Sequence, residues 1–166
     1  MSYTTTNTYP DLVQAFQQLD TDEQLALFWY IYTEMGESVT PAAPGASTVS
    51  TNVADSLFEQ VKAMSREEQL QVQRDLIERK NSLISREYGA FSDTTKLLFW
   101  YLLAVGMSNN TIIPMPADYE LSPEAEDLFT QIKNLEFQQQ MTVFRDYVAP
   151  MGVDPTTAEH DPATGL

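Results

Sequence analysis

A chain of 166 residues, 43% of them hydrophobic, is a single domain by length and can bury a real core, which excludes wholesale disorder. It has no cysteine, which removes disulfides, thiolate metal sites and cysteine nucleophiles; its single histidine, His160, stands in a polar tail that would have to fold back to build a triad or zinc site. Nine basic residues against 24 acidic ones, a net charge of −15, exclude nucleic acid as a default partner and disfavour anionic membrane surfaces.

Met1–Tyr9 is polar and uncharged, with neither a signal-peptide apolar run nor an Arg-rich transit pattern, and residues 1–10 are expected to form an N-terminal arm. Thr21-Asp22-Glu23-Gln24 reads as a capping box ahead of the apolar run Leu25–Tyr32, and Gly36 sits where a C-terminal cap belongs. A Pro/Ala/Gly loop over Thr40–Ser47 follows, and then Leu57, Val61 and Met64 recur at helical spacing. Ser65-Arg66-Glu67-Glu68 is a second capping box, opening a Gln-rich helix to about Arg79. Ser92 caps a helix running to about Met107; its apolar run Leu97–Met107 is about half the length that spans a bilayer, so no membrane insertion is expected. After the loop Asn109–Tyr119, Ser122-Pro123-Glu124 places proline at the first helical position with acid in the first turn, and Leu128, Ile132 and Leu135 keep the helical period. The tail 153–166 is expected to be flexible. No stretch alternates as a strand does, so the fold class is all-α, in a soluble, cytoplasmic protein.

The chain also repeats itself. Leu27-Phe28-Trp29-Tyr30 recurs as Leu98-Phe99-Trp100-Tyr101, an offset of 71 (100 − 29). The same offset, without a gap, carries Leu57-Phe58 onto Leu128-Phe129, Gln69 onto Gln140, Val72 onto Val143 and Arg74-Asp75 onto Arg145-Asp146. That period is too long for a stacked solenoid unit. It reads as a duplication of a unit made of a helix, a long loop and two helices, and a pseudo-twofold axis would make Trp29 and Trp100 counterparts.

Leu25–Tyr32 and Leu97–Met107 are apolar all round, which marks helices buried on every side. On spacing alone they are the two central helices of a bundle; alternatively, one side of each lines a cavity for an apolar ligand. Trp29, Tyr30, Tyr32, Trp100 and Tyr101 carry polar tips that make them inefficient filler but good walls for an extended π-system, and Met35, Met64, Met107, Met115 and Met141 can fill gaps along such a wall.

Three runs carry a resemblance: Gln24–Gly45 (QLALFWYIYTEMGESVTPAAPG), Lys96–Tyr101 with the loop Pro114–Ser122, and Gln139–Gly152. In this order they resemble the N-terminal domain of the cyanobacterial orange carotenoid protein over about Asp11–Gly152, and the chain is identified as a member of that family of the stand-alone kind, the helical carotenoid proteins. The resemblance implies two interleaved four-helix bundles, with a keto-carotenoid of the canthaxanthin or echinenone type threading a tunnel between them. It places pigment-lining positions at Leu25, Trp29, Tyr32, Leu97, Trp100, Tyr101, Met107, Met115, Met141 and Thr142, and adds Ala104, where the family often has glycine. Arg145 matches an arginine that in the full-length protein bridges to the C-terminal domain and serves antenna docking; the plain alternative is a helix-end cation near Asp146. Its repeat counterpart Arg74 is read as structural. Pro41 stands in place of isoleucine, Gln73 in place of methionine and Thr94 in place of an interface asparagine, and Val49–Thr51 carries what looks like a two-residue insertion. A glutamine near the tunnel changes its polarity.

The function implied is non-enzymatic photoprotection, with singlet-oxygen quenching ahead of quenching excited antenna pigments, because a surface at −15 opposes close docking on the phycobilisome. A carotenoid carrier and a pigment-free interaction module are the competing readings, and nothing in the spacing of the acids picks out a hydrolase pair. Implied partners are carotenoid, and a separate C-terminal-domain-like carotenoid protein or the phycobilisome, with the chain a monomer or weak homodimer.

Overall fold

The computed structural model describes residues 9–39 and 48–154, and every regular element among them is helical. In chain order these are α1 (Tyr9–Gln18), α2 (Thr21–Val39), α3 (Thr48–Lys62), α4 (Arg66–Glu78), α5 (Leu83–Gly89), α6 (Asp93–Ser108), α7 (Pro123–Lys133) and α8 (Phe137–Val148). The expected arm before Tyr9, the loop 40–47 with Pro41, and the tail from residue 155 with His160 lie outside the described residues.

Local chemistry sets most of the starts. Orphan amides of a first turn need acceptors. Ser65 supplies one to Glu68 N at 3.2 Å while Glu68 Oε1 accepts from Ser65 N at 3.0 Å, which completes the capping box of α4. Ser82, Ser92 and Ser122 accept in the same way from Ser85, Thr95 and Ala125 at 3.0, 3.2 and 3.1 Å.

The ends of α2 differ from the sequence expectation. Its cap is Asp20, whose Oδ1 accepts from Glu23 N at 2.9 Å. Thr21 instead donates its hydroxyl to Glu78 of α4 at 2.9 Å. At the other end the helix runs through Gly36 to Val39. A glycine inside a helix costs about 1 kcal/mol but ends it only where the chain turns left-handed, and Gly36 stays helical.

The repeat offset of 71 (100 − 29) carries α2, α3 and α4 onto α6, α7 and α8, and also α1 onto α5, so the duplicated unit has four helices rather than three. The extra pair is nearly silent in sequence, with Leu12 and Leu83 the identity in register. Each bundle draws on both copies. α1 and α2 pack with α7 and α8, while α3 and α4 pack with α5 and α6. The bundles meet where α2 crosses α4 and α6, and where α6 crosses α8. This is the interleaved all-α architecture expected.

Matched details repeat across the axis. Gln69 of α4 donates to Val61 O at 3.3 Å, and its counterpart Gln140 of α8 donates to Ile132 O, the counterpart of Val61, at 3.0 Å. Other details break the symmetry. Gln69 also accepts from Ile113 N at 2.8 Å and donates to Thr111 O at 3.1 Å, which pins the loop after α6. That loop folds back closely because α6 carries Gly106 there: a Cβ would lie 2.4 Å from Ile112 Cγ1. In the first bundle Phe16 stacks on Tyr147 at 4.0 Å and lies 5.2 Å from Phe28. After α8 the chain turns at Gly152 (φ 76), and Gly152 N and Val153 N donate to Leu76 O and Ser85 O at 2.8 and 3.0 Å.

Candidate functional site

Where α2 and α6 cross, their aromatic faces do not close on each other. They leave a narrow, open-mouthed cleft between them. α2 presents Leu25, Trp29 and Tyr32 to it, and α6 presents Leu97, Trp100, Tyr101, Ala104 and Met107. Phe28, Ile31 and Leu103 add to the same two walls, while Gln73 of α4 and Phe144 and Val148 of α8 supply walls from helices remote in the chain. Gln73 and Phe144 are repeat counterparts, so the offset of 71 (144 − 73) could have located one from the other.

A second chamber, with about 220 Å³ of free space, lies beneath the loop after α6. Leu70, Gln73 and Arg74 of α4 line it with Met107, Met115 and Tyr119. Leu25, Gln73 and Met107 line both chambers, so the two adjoin across these three side chains. Asp22, Arg74 and Tyr119 line both the second chamber and a polar surface groove, which carries the path to the outside.

The two tryptophans are held differently. Trp100 is 6% exposed and donates its indole N–H to the Tyr88 hydroxyl at 3.0 Å; that hydroxyl in turn donates to Val148 O at 2.7 Å. Burial pushes the Tyr88 hydroxyl well above the usual phenol range, so it stays a neutral donor. Phe28 packs 5.0 Å from Trp100. Trp29 is half-buried and lies against Tyr32 at 5.6 Å, and Tyr32 meets Tyr101 edge-on at 5.9 Å. Tyr30, expected among the walls, lies off both chambers: one turn position away from Trp29, its hydroxyl donates to Tyr119 O at 3.0 Å and anchors the covering loop.

Three positions named by the resemblance line neither chamber. Met141 is buried at 3%, Thr142 donates to Gln138 O within its own helix at 3.1 Å, and the buried Nε of Arg145 has no hydrogen-bond partner among the described residues. No ion pair joins Arg145 to Asp146 among the described residues. Arg74, its counterpart, is tied to Asp22 by Nε–Oδ1 and Nη2–Oδ2 contacts of 3.0 and 3.1 Å, and that bond raises its pKa further. In repeat register Met141 and Arg145 match Leu70 and Arg74 of the second chamber, and the loop matching its cover falls at 40–47, outside the described residues.

The two chambers therefore offer a largely apolar lining with aromatic faces and few polar atoms, suited to a hydrophobic molecule. Among the described residues no three His, Asp or Glu side chains are grouped to hold a metal ion, and no helix is long and apolar enough to cross a membrane.

Comparisons with known proteins bear on what such a path holds. The family described as "Orange carotenoid protein, N-terminal" matches residues 2–154. A protein of Nostoc sp. strain PCC 7120 named orange carotenoid-binding domain-containing protein is 48% identical over 143 residues, 86% of this chain and 82% of that one. The structure of the red carotenoid protein of Anabaena (Nostoc) sp. PCC 7120 binding canthaxanthin superposes with a TM-score of 0.79 at 55% identity, over 89% of this chain and 100% of that one. The orange carotenoid protein of the same organism, also binding canthaxanthin, gives a TM-score of 0.81 at 36% identity over 92% of this chain and 48% of that one, so this chain spans about half its length.

Proposed function

The chain belongs to the family of the orange carotenoid protein N-terminal domain, and from that premise we propose that it binds a keto-carotenoid of the canthaxanthin type along the path between its bundles and protects by quenching singlet oxygen. The observation that carries the reading is the pair of adjoining chambers that share Leu25, Gln73 and Met107, the first of them walled by Trp29, Tyr32, Trp100 and Tyr101.

The residues supply shape, dryness and orientation. Leu25, Leu97, Ala104 and Met107 exclude water along the cleft, and Met115 extends the apolar lining into the second chamber. The flat faces of Trp29, Tyr32, Trp100 and Tyr101 hold a conjugated chain by dispersion and edge contacts worth about 0.5–1.5 kcal/mol each beyond area burial. Met141, Thr142 and Arg145 belong to the repeat-related far end, and contact with ligand there is part of the proposal. Burying several hundred Å² of polyene contributes on the order of 10 kcal/mol before the cost of ordering is set against it. The bound carotenoid supplies low-lying, short-lived excited states that drain energy from singlet oxygen. No acid, base or nucleophile is required.

The test is the visible spectrum of protein purified from a carotenoid-producing host, followed by loss of a singlet-oxygen probe signal in its presence. A strong band between about 450 and 550 nm co-eluting with the protein, together with probe protection absent from the colourless form, is the expected result. A protein that stays colourless where a relative takes up pigment would overturn the reading. A pigmented protein that protects no better than the colourless form would remove singlet-oxygen quenching and leave binding.

A further inference from the structure

Where the two chambers meet, two of the three shared side chains, Leu25 and Met107, are apolar and the third is an amide. Gln73 is 4% exposed, and it lines the two chambers on both sides. Its hydrogen bonding within the described residues is a long 3.4 Å donation from Nε2 to Gln69 O, one turn back on its own helix. A primary amide has two donor hydrogens and an acceptor oxygen, so most of that capacity is unmet by the protein. Its repeat counterpart Phe144 lines the cleft with no polar atom, so the amide is a feature of one half of the path only. Glutamine on the buried face of a helix, left largely unpaired beside two chambers, is inefficient as core filler and effective as a recognition group.

We infer that Gln73 is a specificity-determining residue of this path, selecting a ligand whose ring, lodged in the second chamber, carries an oxygen against one that is hydrocarbon throughout. This rests on the carotenoid reading. The second chamber has about 220 Å³ of free space, and its outer wall carries the other polar residues, Arg74, Asp22 and Tyr119. A keto oxygen on that ring accepts from the Gln73 amide; an all-hydrocarbon ring presents only C–H to it and leaves the amide unpaired in a dry site. A site built around a polar group rejects the analogue that lacks the matching one.

The test loads purified apoprotein with an equimolar mixture of canthaxanthin and β-carotene, for the natural chain and for Gln73→Leu and Gln73→Met, which keep volume and remove the amide. The natural chain is expected to retain canthaxanthin in excess, and both variants to take up pigment with that excess reduced by about fivefold, the size of one buried hydrogen bond. In the variants the vibrational C=O stretch of bound canthaxanthin is expected to lose a hydrogen-bonded, lowered component that the natural chain shows. Equal retention ratios in all three pigmented proteins, with the same C=O band, overturn the role of Gln73 and leave carotenoid binding intact. Failure of the natural chain to take up either pigment overturns both.

Discussion

The indole nitrogen of Trp100 lies 3.0 Å from the hydroxyl of Tyr88, and through that hydroxyl, 2.7 Å from Val148 O, one wall of the cleft is bolted to the end of α8. Both residues are buried, so the chain Trp100–Tyr88–Val148 satisfies an indole N–H and a carbonyl that would otherwise face an apolar interior.

Tyr88→Phe removes the acceptor and the donor together. Two buried groups lose their partner, and the expected cost is about 2–4 kcal/mol. For a domain of this size the melting temperature should fall by roughly 5–15 °C, read by circular dichroism at the helical band. A melting temperature unchanged within error would mean that the relay contributes nothing to the fold.

Trp29 and Trp100 are counterparts in sequence, yet the fold depends on them unequally. Trp100 is nearly fully buried and hydrogen-bonded; Trp29 is half-buried against Tyr32. Trp100→Ala should cost the apoprotein about 3–5 kcal/mol, and Trp29→Ala about 1–2 kcal/mol. Denaturant titration of the two colourless variants separates the values. Equal losses would show that the repeat symmetry extends to energetics.

How far the sequence reaches follows from where each signal is stored. Caps at Ser65, Ser92 and Ser122 act within one turn, so those helix starts are legible residue by residue. Gly36 misleads because glycine's permissiveness allows a left-handed stop without requiring one. α1 and α5 escape notice because only Leu12 and Leu83 coincide in register, and Leu12 is buried where Leu83 is exposed. In the cleft, Leu97, Trp100, Tyr101, Ala104 and Met107 follow helical spacing along α6, and their common face is visible from spacing alone. Phe144 and Val148 come from a helix more than thirty residues further on, and only the repeat register points to Phe144. Tyr30 has the composition of a wall residue but the wrong angular position, which composition cannot express.

Alkaline pH should unfold this protein before it affects most of its charges. Burial raises the pKa of Tyr88 and of Tyr147 well above the ordinary phenol value near 10. In the unfolded chain both ionise near pH 10 and in the folded chain they resist, so their contribution is fully present below pH 10 and is lost as pH rises past it. Lys96 acts in the opposite sense, since burial lowers its pKa. It is one buried group against two buried tyrosines. Stability should therefore fall above pH 10 by up to about 1.4 kcal/mol per pH unit for each tyrosine. Phenolate absorbance near 295 nm should include a late component that appears together with loss of helix. Ionisation of all tyrosines before any helix is lost would contradict the burial argument.

Gln69 should control the roof of the second chamber. Its Nε2 lies 3.1 Å from Thr111 O and its Oε1 accepts from Ile113 N at 2.8 Å, while the same amide reaches Val61 O at 3.3 Å on α3. One side chain thus joins α3, α4 and the loop that carries Met115, and at 2% exposure it does so away from water. Gln69→Leu keeps the volume but leaves Ile113 N and Thr111 O without their partner, at an expected cost of about 2–4 kcal/mol. Because the loop is joined to the fold through those bonds, the loss should appear locally before it appears globally. Hydrogen exchange at Ile113 should accelerate by at least tenfold in the variant, while the amides inside α8 slow or quicken only with overall stability. Exchange at Ile113 no faster than the global change predicts would show that the loop is held by Gly106 and its own packing instead.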